Sequence, residues 1–475
     1  MKKIAYITEG LLRSKVACKD IPFARFMDLC SYRPKGYQFS PKFQDGIWDG
    51  KVRLAGRLKD GSYSFPTGLL HRIREFLFKE GFRIKRRTAY KIEPVNKIIP
   101  LKHSELRDYQ NEAVKMALYH RRGIVKLPTA AGKSLIAASV IKSIQKDAIL
   151  ITNKKDLLYQ TKEVFEREIG GEVGIMGDAL RQFSPITIGS VPTLFKNFDY
   201  YKDFLKSKEV LIIDEVHHAV SKTWYKIAQK LPCVYRIGLT ATPVTGADFI
   251  MLEACTGKII YTKPAGELIE EGYLSKPNIF MVRCSIPVLP ERYSYDKAYT
   301  AGIVQSTRRN QMVARLCWTL VKFKKYRPIV IQIRKLDHYK YLKTELEKFN
   351  LKYKFLSGPD SGVEREKVMK DLKGNRLDIL IVSTIFDEAV DIPNIRTLII
   401  LSGGKDQKRT VQRLGRGMRR TKTKTSVLVI DFHDRTHDYL ERHSKARNRT
   451  YSKEGHKVTV TTWKGVLSRL GLKVP

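Results

Sequence analysis

Four short strings in this chain hold residue types suited to phosphate chemistry. The first, Leu127-Pro-Thr-Ala-Ala-Gly-Lys-Ser134, follows a predicted strand and opens a predicted helix. There the backbone N–H groups of Thr129, Ala130, Ala131 and Gly132 would cradle phosphate at a helix N-terminus. Lys133 would reach the β- and γ-phosphates, and Ser134 would ligate Mg2+. The full phosphate-loop pattern has glycine where Leu127 stands, so the string alone also fits an ordinary glycine-containing turn. The second is Val210-Leu-Ile-Ile-Asp-Glu-Val-His217, in which an acidic pair ends an apolar strand. Asp214 would hold Mg2+, and Glu215 would orient and deprotonate an attacking water. Carboxylates at strand ends are also common as solvated groups. The third, Gly238-Leu-Thr-Ala-Thr-Pro243, offers the hydroxyls of Thr240 and Thr242 as a link to a moving lobe; in isolation it reads as a turn. The fourth is Gln412-Arg-Leu-Gly-Arg-Gly-Met-Arg419. Helical spacing puts Arg416 and Arg419 near one face with Arg413 nearby, and guanidinium forks can meet charge on a transferring phosphoryl group. A basic helix on nucleic acid, or a solvated face, fits the same string.

These strings need a scaffold that presents them together. From Leu106 to Arg420, apolar runs such as Ala148–Thr152, Val210–Ile213, Pro328–Ile331 and Asp378–Val382 alternate with amphipathic segments. Such runs suit buried parallel strands joined by crossover helices, an α/β architecture. The alternation breaks where Pro264, Pro277, Pro287 and Pro290 cluster, so residues 263–305 are expected as a region linking two α/β lobes, 101–262 and 306–475. Residues 1–100 carry short Gly- and Pro-bounded segments and one helical stretch, the pattern of a small α+β domain.

The chain has 475 residues and a formal net charge of +41. Residues 1–100 hold 22 basic and 9 acidic residues (+13), and residues 301–475 hold 39 and 17 (+22), which leaves the centre near balance. Charge on this scale excludes an acidic solvating protein and points to a polyanionic partner. Six scattered cysteines without a C-x-x-C pair fit a reduced cytosolic chain. No stretch is apolar enough for a membrane span, so a cytoplasmic protein is expected, with a monomer as the default.

Taken in order, the four strings resemble superfamily 2 helicases of the DExH type. Leu106-Arg-Asp-Tyr-Gln110 is similar to the adenine-reading Q element, with Arg107 and Gln110 in its site. Ser383–Pro393 resembles motif V, with Asp391 and Pro393 matching and Ala389 in place of the usual glycine. The segments Gly36–Leu54 and Phe65–Leu69 are similar to the opening domain of the UvsW-type recombination helicases of bacteriophages. The resemblance implies two RecA-like parallel-sheet lobes preceded by a DNA-presenting α+β domain. It also implies ATP and Mg2+ as cofactors, and 3′→5′ unwinding and branch migration of recombination and stalled-fork junctions, with a bacterial host cytoplasm as the setting. Roles carried over include lobe-to-lobe coupling by His217 and Gln412. By likeness to motifs Ia, Ib, IVa and V, Thr152, Lys154, Ser190, Thr193, Ser357 and Thr384 would contact DNA phosphates.

Contacts of that kind carry no sequence information, so binding should be sequence-independent and sensitive to salt. In residues 32–57, Trp48 and other aromatics interleave with Lys42, Lys51 and Arg53. The aromatics suit the core of a small domain as well as base stacking, while the cations are expected to meet duplex DNA. The Arg83–Arg87 cluster and Arg442, Lys445, Arg447 and Arg449 in the tail extend the expected DNA surface. Other readings are a duplex translocase that remodels protein–DNA complexes without separating strands, a non-enzymatic DNA-architectural protein, and a motor acting on RNA.

Overall fold

The computed structural model of the chain describes residues 3–474, apart from 154, 242–245, 359, 361, 375, 384–391, 393 and 422. The chain forms two compact units, one of residues 1–127 and 132–263, the other of residues 128–131 and 264–475.

The first unit opens with β1 (Ile4–Glu9) and β2 (Arg13–Ala17), followed by a small separate pair, β3 (Ser31–Tyr32) and β4 (Val52–Arg53). Strands β5 (Gly56–Arg57), β6 (Tyr63–Pro66) and β7 (Arg83–Thr88) complete a five-stranded sheet in the order β5-β6-β2-β1-β7. So small a sheet buries little apolar surface by itself. Its core, including Phe26, Phe65 and Leu77, continues into Ile250, Met251 and Ala254 of the helix Phe249–Cys255. At this junction Gly68 has no room for a side chain, since a Cβ would lie 1.9 Å from the Glu253 carbonyl oxygen. The Glu253 carboxylate is buried there and accepts from Arg72 Nε at 2.6 Å, with His71 Nε2 at 2.9 Å. Residues 1–100 and the lobe that follows therefore share one core instead of standing as separate bodies.

The rest of this unit is an eight-stranded sheet built from β8 (Arg122–Lys126), β9 (Ala148–Thr152), β10 (Val173–Gly177), β11 (Leu180–Arg181), β12 (Ile186–Ser190), β13 (Val210–Asp214), β14 (Tyr235–Thr240) and β15 (Ile259–Thr262). Their order is β11-β10-β12-β9-β13-β14-β8-β15, all parallel except the hairpin strand β11. Both β9 and β14 are buried along their whole length, as expected of strands covered on both faces. Arg236, fully buried on β14, donates to the carbonyls of Ala228 and Cys255 at the ends of two helices, at 2.6 and 2.8 Å. Those carbonyls have no partner within their own helices, and a guanidinium satisfies them where water cannot reach.

The second unit is a seven-stranded, wholly parallel sheet of β16 (Lys276–Cys284), β17 (Ile329–Gln332), β18 (Tyr353–Leu356), β19 (Ile379–Val382), β20 (Thr397–Ile400), β21 (Ser426–Asp434) and β22 (Val458–Thr461). The order is β18-β19-β17-β20-β21-β16-β22. This corrects the reading of 263–305 as a linking region, because β16 lies inside the sheet between β21 and β22. Its proline, Pro277, is tolerated because pairing to β22 begins only at Ile279. A second correction concerns Arg447, which is buried on the helix Asp438–Lys453 and grips Asp431 through two bonds of 2.9 Å, so it is not an exposed cation. All six cysteines are free thiols, and among the described residues no helix is long and apolar enough to cross a membrane.

Buried His338 gives the second unit an acid-sensitive point. Its Nε2 lies 2.9 Å from Asn310 Oδ1, and burial together with nearby Arg309 lowers its pKa from 6.5 to about 3. The folded ring stays neutral while the unfolded chain takes up a proton below pH 6.5. Stability from this group is therefore lost as pH falls from 6.5 toward 3, by up to about 1.4 kcal/mol per pH unit. His338→Gln should flatten the acid limb of a urea-unfolding stability profile between those values, and an unaltered limb would refute the assignment.

Candidate functional site

Parallel register sets the first unit's chemistry side by side. In the sheet, β13, β14 and β8 are neighbours, with Asp214 opposite Leu239 and Thr240 opposite Lys126. The acidic pair, the Thr240 turn and the phosphate-loop candidate thus leave the same sheet edge on adjacent strands. Ligands of open α/β sheets bind at this edge.

The loop after β8 leads into the helix Lys133–Ile144. Ala130 and Gly132 both have positive φ, +69° and +75°. A non-glycine residue there is strained by roughly 1–2 kcal/mol, the physical cost of alanine at a position where many helicase loops carry glycine. Leu127 is fully buried, its N–H donating to the Thr240 carbonyl at 3.0 Å and its carbonyl accepting from Lys133 Nζ at 3.4 Å. This position serves the core, so it does not call for glycine. Gln110 lies buried near the start of the helix Asp108–His120, and its Oε1 accepts from the Arg107 N–H at 3.0 Å. The Gln110 amide packs directly on the loop, since a Cβ at Gly132 would fall 2.3 Å from Gln110 Nε2. Thr129 and Ala130 are half-buried, Ala131 is buried, and Ser134 is exposed on the first turn of the helix.

Beyond β13, Glu215 takes a left-handed backbone with φ +49°, and its N–H donates to Asp214 Oδ1 at 3.0 Å. Such geometry costs energy for a non-glycine residue and is concentrated at functional sites. His217 is buried, with Nδ1 at 3.2 Å from both Glu215 Oε2 and Thr240 Oγ1. The His218 ring, adjacent to it, stacks on Trp224. His217 therefore joins the acidic pair to the Thr240 turn, a coupling built entirely within the first unit. The nucleotide residues named from sequence, Gln110, Gly132, Lys133, Asp214, Glu215, His217 and Thr240, are brought to one sheet edge.

In the second unit, the helix Gln407–Gly417 carries Gln412, Arg413 and Arg416. Arg413 is buried and donates to the Gly403 carbonyl at 3.4 Å. Arg419 does not share a helical face with Arg416, as the spacing suggested. It lies beyond the helix, in an antiparallel bridge with Leu274. The glycines at 415 and 417 weaken the last turn, and the following segment is held from elsewhere. Ser275 Oγ donates to the Arg419 carbonyl at 3.2 Å. Buried Lys424 donates to the carbonyls of Gly417 and, at 2.9 Å, of Arg419. Sequence reasoning missed Lys424, which sits in a Thr-Lys run with no periodic signal to set it apart.

Of the expected nucleic-acid residues, Thr152 and Ser190 lie opposite each other at the ends of the paired strands β9 and β12. Ser190 and Thr193 are half-buried where β12 meets the helix Val191–Lys196. Thr152 is buried at the end of β9, and the buried Ser357 is tied through its N–H and Oγ to Asp360 at 2.6 and 3.2 Å. Lys42 is exposed, but Lys51 pairs with Asp28 at 2.6 Å and Arg53 with Asp49 at 2.5 Å. Trp48 is half-buried and its Nε1 donates to the Lys51 carbonyl at 2.8 Å, so it braces its own loop. Lys154, Thr242, Thr384 and Asp391 lie outside the described residues.

Two substitutions probe this geometry. Gly132→Ala adds a methyl where Gln110 packs and forces alanine to positive φ, so nucleotide affinity should fall at least about tenfold. The double change Gly132→Ala/Gln110→Ala should not restore it, because the backbone strain remains; full recovery in nucleotide titrations would contradict this account. Lys424→Met should lower ATP turnover several-fold and leave KM for ATP nearly unchanged. Wild-type turnover would show that the Gly417–Arg419 carbonyls need no such anchor.

Residues 103–245 match the family described as Type III restriction enzyme, res subunit, and residues 312–421 the helicase conserved C-terminal domain. Residues 9–86 match the N-terminal domain of DNA helicase UvsW. The chain is 25% identical over 454 residues to the ATP-dependent DNA helicase uvsW of Enterobacteria phage T4, covering 88% of each chain. It is 27% identical over 373 residues to the DNA 3'-5' translocase XPB2 of Sulfurisphaera tokodaii, covering 70% of this chain and 83% of that one. Its fold is also similar to that of S. cerevisiae Dbp5 bound to RNA and ADP BeF3, with a TM-score of 0.55 at 14% identity over 77% of this chain and 92% of that one. With helicase-domain matches in both lobes and a UvsW-type domain before them, the chain belongs to the superfamily 2 helicases, ATP-hydrolysing enzymes, in the branch close to UvsW.

Proposed function

We propose that the chain is an ATP-dependent DNA helicase and translocase that unwinds and branch-migrates recombination intermediates and stalled-fork junctions in the 3′→5′ direction. The observation that carries this reading is the convergence of Gln110, the Gly132 loop, the Asp214–Glu215 pair and His217 on one sheet edge, in a unit whose core is shared with a UvsW-type N-terminal domain. The names of these two relatives support DNA as the track, and the phage origin of the uvsW helicase supports a bacterial host cell as the setting.

Gln110 reads the nucleobase, the loop from Thr129 to Gly132 binds phosphate through its N–H groups, and Lys133 neutralises the β- and γ-phosphates. Glu215 orients the attacking water and accepts its proton, and the strained backbone holds its carboxylate beside His217. Arg416 and Arg419 stabilise the charge that builds on the departing phosphoryl group. Among the described residues, no group of three or more His, Cys, Asp or Glu could hold a metal ion. Asp214 at the end of β13 and Ser134 on the first turn of the helix after the loop offer the hard oxygen ligands Mg2+ prefers, and would hold it with phosphate oxygens and water completing its shell. When bound, the ion would neutralise phosphate charge. His217, linked to Thr240, passes the state of the site to the DNA track.

Lys133→Ala, Glu215→Gln and Arg416→Ala should each lower DNA-stimulated ATP turnover by about 100-fold or more, the scale of a lost transition-state contact. Near-normal turnover in any variant would remove that residue from the assignment. A synthetic four-way junction beside a matched RNA duplex tests the substrate, and ATP-dependent processing of the RNA alone would overturn the DNA reading. A forked duplex separates helicase from pure duplex translocase, a reading favoured by the likeness to the XPB2 translocase.

A further inference from the structure

We propose that the second unit carries a separate holding site for a single nucleic-acid strand, between the end of β16, one face of the helix Thr307–Leu320 and the start of the helix Trp463–Arg469. The site is a cavity of about 590 Å³ whose lining includes Arg283, Arg308, Gln311, Arg315, Trp463 and Lys464. None of the residues that line it is acidic. Arg308, Gln311 and Arg315 recur at helical spacing, so they form one stripe along the helix. Arg283 enters from the end of β16, and Trp463 with Lys464 from the first turn of the helix Trp463–Arg469.

Three observations identify the ligand. First, Arg283, Arg308, Arg315 and Lys464 have no carboxylate partner within 4 Å among the described residues, whereas Arg327, Lys335 and Lys348 of the same unit do. Four cations around one cavity repel each other unless an anion joins them, and the phosphodiester backbone supplies anions at regular spacing. Second, Trp463 is half-buried, with part of its indole packed on the unit's core, and it also lines the cavity. Lys464 Nζ lies 5.9 Å from the Trp463 ring centre, and an indole among cations is the combination that stacks an unpaired base while its phosphates are neutralised. Third, the cavity has the size of a pocket for one small ligand, about one nucleotide with its flanking phosphates, and a base can enter it only when unpaired. The ligand is therefore a single strand, held by one base and its two flanking phosphates. None of these residues belongs to the four chemical strings, so the site retains a strand without taking part in ATP hydrolysis.

This inference rests on the reading of the chain as a nucleic-acid motor, and the test keeps the two apart. Binding of a fluorescein-labelled 15-nucleotide thymidine strand to the full chain is measured without ATP at several salt concentrations. The double variant Arg308→Ala/Arg315→Ala should bind at least about tenfold more weakly. The slope of log affinity against log salt should drop by about 1.4, the value for two lost single-strand phosphate contacts. Tryptophan emission of the wild type should be quenched by an unlabelled strand, and Trp463→Phe should abolish most of that quenching while Trp48, Trp224 and Trp318 remain. ATP turnover without DNA should be unchanged in every variant. Wild-type strand affinity in the double variant, or full quenching in Trp463→Phe, would overturn the site whatever the motor assays give. Equal quenching by inorganic tripolyphosphate would also overturn it, by showing a pocket for free phosphate chains. Failure of the motor reading would appear elsewhere, as absence of DNA-stimulated ATP turnover in the wild type.

Discussion

Parallel strand register is the constraint on which the other functional features depend. Parallel strands all end at one edge of a sheet, so every loop that follows a strand opens on the same side. In the first unit that edge collects the loop after Lys126, the Asp214–Glu215 pair and Thr240 on three adjacent strands. The arrangement costs backbone strain at Ala130 and Glu215, both at positive φ. It is held by contacts that leave little slack: Gln110 against Gly132, Leu127 to the Thr240 carbonyl, and His217 between Glu215 and Thr240. A change at one of these positions is transmitted to the others through packed atoms.

The N-terminal sheet follows a different logic. Its strands are short and its core is small, so it completes that core on the helix Phe249–Cys255. Glu253 shows how closely the two surfaces are joined, since a buried carboxylate is stable only where groups such as Arg72 and His71 meet it. The helix that receives the N-terminal sheet follows the Thr240 turn in sequence. A domain proposed to meet DNA is thus bonded to an element a few residues from the nucleotide site. In the second unit, Lys424 and Ser275 perform a comparable service, pinning the carbonyls around Arg419 after the helix has ended.

Much of the motor was legible from residue types and order. Apolar runs marked the buried parallel strands, and glycine, lysine and serine after a strand marked the phosphate loop. What misled was local composition read without partners. Prolines near Pro277 suggested a linking region, yet a proline is harmless where a neighbouring strand has not yet begun to pair. Arg447 looked like part of a basic surface, but Asp431 lies sixteen residues earlier in sequence and directly against it in space. Trp48 read as a candidate stacking residue, and it braces its own loop through the Lys51 carbonyl.

The sequence alone determined the class of chemistry, because phosphate binding, water activation and charge neutralisation each demand particular side chains at short spacing. It also pointed to buried strands, since both-face burial favours continuous apolar runs, and to a parallel sheet, since those runs alternate with amphipathic segments suited to crossover helices. Tertiary structure decided which cations remain available to a polyanion, because pairing depends on carboxylates that are distant in the chain. It also decided that Gln110 seats on Gly132 and that Lys424 holds the segment of Arg419. Each of these contacts joins residues whose meeting is set by chain path and packing, which no local pattern encodes.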